Sequence, residues 1–155
     1  MASPPEPTSG AFDGAVHRYA VRVYYEDTDA GGLVYHANYL RWIERARSDM
    51  LRLMEIDQRA ALESGEGMYA IADLAIRYMA PARLGDTVQI ETRVDAVRAS
   101  SCILQQIVRR DGIVLSEASV RVGFIGPDGK PRRQPGDWRD KLAALAPKPE
   151  GQEFA

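Results

Sequence analysis

The stretch from residue 24 to residue 52 constrains the fold of this chain more than any other. It reads YYEDTDAGGLVYHANYLRWIERARSDMLR, which is a strand end, an acidic turn with two glycines and a long amphipathic segment. Apolar residues recur every three or four positions from Tyr39 to Met54, a spacing that predicts a helix with one apolar face. We expect this helix to begin near His36, because the glycines interrupt the strand and free the backbone for a turn. Such a helix needs a sheet to cover its apolar face.

Five segments alternate apolar and polar residues, as half-buried strands do. They cover residues 17–26 before the helix and residues 68–78, 87–97, 101–110 and 113–124 after it. Short turns separate the last four, and the Asp111-Gly112 pair between the final two is a strong hairpin signal. Two short helices are expected at residues 57–64 and 137–145. The sequence therefore predicts an α+β fold, with an antiparallel five-stranded sheet wrapped around one long central helix.

The composition indicates an ordinary globular domain without a nucleic-acid or membrane partner. The chain has 155 residues, 45% of them hydrophobic, and a formal net charge of -2. This charge gives no attraction to nucleic acid or to an anionic membrane, and no apolar run reaches the roughly 18 residues of a membrane helix. The first residues lack the basic and apolar regions of a signal peptide. We therefore expect a cytoplasmic protein with a disordered leader at residues 1–16, one domain at 17–146 and a flexible tail at 147–155.

Three polar residues, Asp27, Asp29 and His36, stand in or beside the acidic turn. From the pattern alone, the two carboxylates serve either in catalysis or in capping the turn, since Asp side chains often bond to nearby backbone N–H groups. His36 could likewise cap the helix. Backbone N–H groups at a helix start can stabilise a developing oxyanion, and those of residues 34–36 are candidates. A carboxylate beside such donors can activate water or attack a carbonyl carbon.

The other titratable residues suggest structural roles. We expect His17 to be an exposed strand-end residue and the charged positions of the long helix to form a solvated face. Arg45 and Asp49 should pair across one helical turn. Cys102 falls in a strand with no histidine nearby, so it belongs to the core rather than to a nucleophilic pair.

The acidic turn, the helix start and a later stretch together resemble a known family. DTDAGG, VYHANYL, ERAR and RYMAPARLGD closely resemble hotdog-fold acyl-CoA thioesterases. Within the wider 4-hydroxybenzoyl-CoA thioesterase family, the chain most resembles the YbgC type, the Tol–Pal-associated thioesterases. The resemblance implies a hydrolase that releases a carboxylic acid and coenzyme A from an acyl-CoA. Coenzyme A is then part of the substrate, and no separate cofactor is implied.

The resemblance also assigns roles to single residues. Asp29, directly before AGG, is implied as the catalytic carboxylate, acting as general base or as nucleophile, and His36 as a second catalytic residue that bonds the carbonyl or orients water. Arginines and serines suit the phosphates of coenzyme A, and the family lays the pantetheine arm along a strand edge. The candidate substrate-binding residues are Gly32, Val34, Tyr35, Tyr78, Pro81, Ala82, Arg83, Arg98, Ser100 and Ser101.

Other functions remain open at this point, because hotdog folds serve several. The alternatives are a non-catalytic module that binds acyl-CoA or acyl carrier protein, an envelope-associated scaffold, and a dehydratase. A metal site is not expected, because no cluster of His or Cys accompanies the acidic residues. An exposed sheet edge favours pairing with a second copy, so we expect a homodimer or homotetramer that shares a wall at residues 68–83.

Overall fold

A computed structural model describes residues 1–148 as an antiparallel sheet with one long helix packed against it. The sheet has six strands in the spatial order β1-β2-β4-β5-β6-β3. The strands are β1 (Ala11–Asp13), β2 (Val16–Arg22), β3 (Met68–Tyr78), β4 (Thr87–Val97), β5 (Ser101–Arg110) and β6 (Ile113–Ile125). Every neighbouring pair is antiparallel. One edge of the sheet is therefore the long strand β3, and the other is the three-residue strand β1.

The long helix α1 spans His36–Leu53, with the start that the sequence predicts. Its buried side chains recur every three or four positions and include Tyr39, Ile43, Ala46 and Met50. Two short helices, α2 (Gln58–Glu63) and α3 (Gly136–Leu145), also lie close to their predicted positions. Within residues 1–148, no helix is long and apolar enough to cross a membrane.

The core forms two clusters that follow each other along α1. The first half of α1 packs with residues of β2, β4, β5 and β6, with Tyr39 and Ile43 at its centre. The second half packs with the other end of the sheet and with α3, around Met50, Phe124 and Trp138. Because both halves of α1 are anchored, the helix start is held in a fixed position at one end of the sheet.

The predicted strands after α1 are confirmed closely. β3, β4 and β5 begin and end at the predicted residues, and β6 extends one residue further. The strand predicted at residues 17–26 instead ends at Arg22 and is followed by a 3-10 turn at Tyr25–Asp27. The side chain of Asp27 accepts a hydrogen bond of 2.8 Å from the N–H of Tyr24, which closes this turn and ends the extended backbone.

The predicted strand count is wrong by one, because β1 lies inside the segment expected to be a disordered leader. Residues 11–13 pair with β2, so the ordered sheet begins before residue 17. A partly buried contact explains this order: the N–H of Gly10 donates to Oδ2 of Asp49 on α1 at 2.9 Å. Of the predicted tail, residues 149–155 lie outside the described residues.

Contacts of Asp49 also correct the predictions for two titratable residues. His17 is fully buried rather than exposed, and its Nε2 lies 2.8 Å from Oδ2 of Asp49. Asp49 is only 8% exposed and therefore not part of a solvated face. It contacts Arg52 at 3.4 Å and not Arg45. The predicted core position of Cys102 is confirmed, since this residue is buried.

Candidate active site

A tight turn between β2 and α1 positions Asp29. The N–H of Asp29 donates to the carbonyl of Leu33 at 2.7 Å, and the N–H of Gly32 donates back to the carbonyl of Asp29 at 3.1 Å. Gly32 has a φ of 80°, in the left-handed region that glycine adopts without steric cost. Thr28 and Val34 form an isolated antiparallel bridge below the turn. The backbone around Asp29 is therefore a closed, hydrogen-bonded loop rather than a free segment.

The two carboxylate oxygens of Asp29 have different surroundings. Oδ1 accepts hydrogen bonds from the N–H groups of Gly31 at 2.8 Å and Leu33 at 3.2 Å. Oδ2 has no hydrogen-bond partner within residues 1–148, and the side chain is exposed. One oxygen is thus fixed by the backbone, and the other is free to accept a proton or to attack an electrophile.

Asp27 is occupied by structural hydrogen bonds. In addition to the contact with Tyr24, its carbonyl accepts from the N–H of Tyr35 at 3.0 Å and from Nδ2 of Asn38 at 2.8 Å. The capping interpretation of Asp27 therefore accounts for its place in the turn, and Asp29 is the more exposed of the two carboxylates.

The loop between β3 and β4 is fastened to the turn. The N–H of Val34 donates to the carbonyl of Ala82 at 2.9 Å, and Leu33 bridges to Arg83. The N–H of Ala82 in turn donates to the hydroxyl of Tyr39 on α1 at 2.9 Å. Burial raises the pKa of Tyr39, so this hydroxyl remains neutral. Turn, loop and helix are thereby joined into one unit.

The start of α1 offers fewer free donors than the sequence suggests. The N–H groups of Val34 and Tyr35 were both candidates for stabilising an oxyanion, but they donate to Ala82 and Asp27. Only the N–H of His36 and that of the following residue, Ala37, have no partner within residues 1–148. These two groups carry the positive end of the helix dipole. Of the three predicted N–H groups, only that of His36 is therefore available, and that of Ala37 is added.

Three aromatic rings surround the helix start. The ring of His36 packs against Tyr35 with a centroid distance of 4.5 Å and lies edge-on to Tyr78 at 6.2 Å. The hydroxyl of Tyr78 donates to the carbonyl of His36 at 3.0 Å. The imidazole itself has no hydrogen bond within the described part of the chain. It is therefore held in place by ring packing while its nitrogens stay available.

Six of the predicted site residues come together in one open depression of about 490 Å³. They are Asp29, Val34, Tyr35, His36, Tyr78 and Pro81. Four further lining residues are not among the predicted substrate contacts: they are Leu33 and Tyr39, and Met79 and Ala80 from the segment 68–83 that was predicted as a shared wall. A sequence signal existed for the last two, because they lie between Tyr78 and Pro81. Tyr39 follows His36 by three positions, which places it on the same helix face.

Four other predictions of substrate contact are not supported by position in one chain. Ala82 is completely buried, and both its backbone groups are used, so it has nothing to offer a ligand. Arg98, Ser100 and Ser101 follow the far end of β4, whereas the depression lies near its start. The eleven residues of β4 span about 33 Å, so a single chain does not bring these three to Asp29. Gly32 and Arg83 adjoin the turn but do not line the depression.

Comparisons with known proteins agree with this geometry. The sequence pattern of the thioesterase-like superfamily matches residues 23–147. The chain belongs to this superfamily. It is 43% identical over 120 residues to the acyl-CoA thioester hydrolase YbgC of Escherichia coli, covering 76% of this chain and 89% of the relative. It is 42% identical over 107 residues to the acyl-CoA thioesterase YbgC of Haemophilus influenzae, covering 69% of this chain and 79% of the relative.

A solved structure extends the comparison to the fold. A thioesterase from Thermus thermophilus, crystallised with coenzyme A and zinc, is 27% identical and has a TM-score of 0.72, covering 89% of this chain and 99% of its own. The predicted hotdog fold is thereby confirmed, apart from the number of strands. Within residues 1–148 of this superfamily member, no group of three His, Cys, Asp or Glu side chains could hold a metal ion.

Proposed function

We propose that this protein hydrolyses acyl-CoA thioesters with Asp29 as its catalytic carboxylate. One observation carries the proposal: within residues 1–148, Asp29 presents a free Oδ2 in the same depression as the start of α1, where two backbone N–H groups are unpaired. The similarity to relatives described as acyl-CoA thioesterases supports the choice of substrate. Coenzyme A is then part of the substrate, and no further cofactor is needed.

The reaction needs a nucleophile, a place for negative charge and a leaving group. Oδ2 of Asp29 either removes a proton from water as the water attacks the carbonyl carbon, or attacks that carbon itself. The carbonyl oxygen becomes negative and is stabilised by the N–H groups of His36 and Ala37. The C–S bond then breaks, and coenzyme A leaves as a thiolate. On the first route the acid is released directly, and Asp29 gives up the proton it took from water to the thiolate or the solvent. On the second route, water hydrolyses the mixed anhydride between the acyl group and Asp29, which releases the acid and restores the carboxylate. The His36 ring, with its nitrogens free, is placed to orient water or to bond the carbonyl.

Asp29→Asn tests this role without disturbing the turn. The Asn side-chain oxygen can still accept from the N–H groups of Gly31 and Leu33, but the amide nitrogen that replaces Oδ2 is neither a base nor a nucleophile. We expect kcat for a panel of acyl-CoAs to fall about 100- to 10,000-fold, with the melting temperature nearly unchanged. Release of free thiol, followed with a thiol reagent, measures the rate.

The matched control is Asp27→Asn, which removes a carboxylate charge two residues away. Its oxygen can still accept from the N–H of Tyr24, so kcat should stay within a fewfold of wild type. Full activity of Asp29→Asn at saturating substrate would contradict the proposed role. Tight binding of acyl-CoA without turnover by the wild type would instead favour a non-catalytic binding module.

We further propose that two chains pair through β3 and share their sites. β3 is an edge strand with exposed apolar side chains at Met68, Ile71 and Tyr78, a pattern that favours pairing with another strand. In an isologous antiparallel pair, the Met68 end of one β3 lies beside the Tyr78 end of the other. The turn with Arg98 and Ser101 lies at the Met68 end of its own sheet, because Ser101 pairs with Gly123, which pairs with Ala70. Pairing would therefore carry this turn toward the partner's depression.

Mixed dimers test the shared site. In a dimer of one Asp29→Asn chain and one Arg98→Ala chain, a shared arrangement leaves one site with both residues intact. We expect mixing of equal amounts and reassociation to restore activity toward a quarter of the wild-type value, because half of the dimers are then mixed and each has one intact site of two. Unshared sites would give no gain above the mean of the two separate variants.

Sedimentation equilibrium gives the oligomeric state, and a fully active monomer would overturn the pairing. A tetramer, a cytoplasmic location, a Tol–Pal association and acyl carrier protein as an alternative carrier remain predictions.

A further inference from the structure

The peptide group between Pro81 and Ala82 is held at both of its ends. Its carbonyl, on Pro81, accepts a hydrogen bond of 2.8 Å from Nη1 of Arg110. Its N–H, on Ala82, donates to the hydroxyl of Tyr39 at 2.9 Å. Because a cation at the carbonyl of a peptide polarises the N–H of the same group, the two hydrogen bonds strengthen each other. We call this arrangement the peptide clamp.

Arg110 is the last residue of β5, and its side chain is itself held in a fixed orientation. The same Nη1 donates to Oδ2 of Asp86 at 3.0 Å, and this oxygen also accepts from the N–H of Arg83 at 2.8 Å. The carbonyl of Asp86 in turn accepts from the N–H of Val23, directly after β2, at 2.8 Å. The side chains of Arg110 and Asp86 are only 24% and 25% exposed. The guanidinium is therefore anchored between the loop and the end of β2.

The peptide clamp reaches the proposed active site on two sides. Pro81 lines the depression that contains Asp29, and because proline has no N–H, its carbonyl is the only backbone group that a hydrogen bond can fix. The carbonyl of Ala82 accepts from the N–H of Val34 at 2.9 Å, just before the start of α1. A shift of the clamped peptide would therefore move a wall of the depression together with the helix start that carries the proposed oxyanion donors.

We propose that Arg110 is a positioning residue for thioester hydrolysis, because it fixes the peptide that joins a wall of the depression to the start of α1. This inference rests on the proposed function, since it assigns a role in the same reaction. Arg110 does not line the depression, so it acts through the loop and not on the substrate. A misplacement of about 1 Å can lower a rate about 100-fold, so loss of the clamp should reduce catalysis as well as stability.

Arg110→Met tests this role, because it removes the charge and both hydrogen bonds but keeps an apolar stem. For an acyl-CoA that the wild type hydrolyses, we expect kcat to fall about 10- to 100-fold and KM to change less than about threefold. Arg110→Lys keeps a charged nitrogen that can donate to the same two oxygens, so its kcat should lie between those of Arg110→Met and the wild type. Release of free thiol measures both constants.

Arg109→Met is the matched control. Arg109 also lies on β5 and also forms an ion pair of 3.0 Å, with Glu91, and its side chain is 31% exposed. Because Glu91 belongs to the neighbouring strand β4 and not to the loop, Arg109→Met should lower the melting temperature to a similar extent but leave kcat nearly unchanged. If Arg110→Met does not fold, Arg110→Lys and Arg109→Lys provide the same comparison. Equal falls of kcat in the two members of a pair would overturn the proposal.

A double variant tests whether Arg110 and Tyr39 act on the same peptide. Tyr39→Phe releases the N–H end, so its combination with Arg110→Met should lower kcat by less than the product of the two separate effects. A full product would show that the two residues act independently, which would overturn the peptide clamp.

Hydrogen exchange without substrate separates this inference from the proposed function. Exchange at the N–H of Ala82 should accelerate in Arg110→Met and not in Arg109→Met. Unchanged exchange at Ala82 would overturn the clamp while the proposed function stands. Full activity of Asp29→Asn would instead overturn the proposed function and, with it, the role of Arg110 in catalysis.

Discussion

Replacing Asp49 should reveal how strongly α1 holds the start of the sheet. Oδ2 of Asp49 accepts from two groups at once, Nε2 of His17 at 2.8 Å and the N–H of Gly10 at 2.9 Å. Asp49→Ala leaves both donors without an acceptor, and His17 is completely buried. Each unsatisfied buried donor costs about 1–3 kcal/mol, so the two together cost about 2–6 kcal/mol. The higher helix propensity of Ala offsets this loss of stability by less than about 0.7 kcal/mol. We expect a net loss of about 3–4 kcal/mol.

Two companion variants separate hydrogen bonding from charge and from surface effects. Asp49→Asn can still present an oxygen to both donors, so it should cost only about 1 kcal/mol, the difference between charged and neutral acceptors. Glu63→Ala removes an exposed ion pair with Arg59, 2.9 Å long, and should cost less than about 1 kcal/mol.

Urea unfolding at one fixed protein concentration measures these differences, because association of subunits would otherwise add to the apparent stability. Hydrogen exchange at the N–H of Gly10 gives an independent measure, and it should accelerate in Asp49→Ala. The reasoning is refuted if Asp49→Ala costs no more than Glu63→Ala, or if exchange at Gly10 is unchanged.

Two further perturbations follow from single contacts. Tyr39→Phe leaves the buried N–H of Ala82 without an acceptor, so it should lower the free energy of unfolding by about 1–3 kcal/mol and also reduce kcat/KM, because it loosens the loop beside Asp29. Val94→Ala, at a buried position in the second core cluster, is the control that should lower stability alone. Burial raises the pKa of the Cys102 thiol from 9.0 to about 11, so iodoacetamide should label it slowly at neutral pH and rapidly after unfolding. Since the folded state keeps this proton to higher pH than the unfolded state, stability should fall as the pH rises from about 9 to about 11. Cys102→Ala should remove that part of the pH dependence.

The strands after α1 could be predicted from sequence because local signals bound them on both sides. Gly85-Asp86 precedes β4, and Asp111-Gly112 separates β5 from β6, so alternation and turn chemistry agree. β1 has only three residues and no alternation that could be recognised. It is ordered by the contact between Gly10 and Asp49, which are 39 positions apart. Its order is therefore a tertiary effect that no local pattern reports.

The error at His17 had a signal that was available. The alternation that buries Tyr19 also places His17 on the inner face of β2, and a buried histidine needs a polar partner. The partner, Asp49, lies seven positions after the buried Trp42, on the same side of α1. Considered together, the two periodicities would have predicted a buried pair.

In the candidate site, too, the local contacts could be predicted from sequence and the long-range contacts could not. Asp29 and His36 are separated by seven positions, and the turn chemistry around them is local, so their proximity could be predicted. The fate of the N–H groups of Val34 and Tyr35 could not, because one of the acceptors, the carbonyl of Ala82, reaches the turn only when the chain folds. Sequence alone names the segment that carries the donors, and the structure decides which of them are free.

The hydrogen bonds made by the N–H groups of Val34 and Tyr35 also affect catalysis. Asp29 is exposed, yet its turn is closed by its own backbone and tied by Val34 to the loop at Ala82, which Tyr39 ties to α1. The carboxylate and the free N–H groups at the helix start therefore belong to one rigid unit, and no large rearrangement is needed to align them with a substrate carbonyl. Such fixed dipoles lower a barrier because they are not reorganised during the reaction. A site of this kind should lose activity through kcat rather than KM when one of the tying bonds is removed.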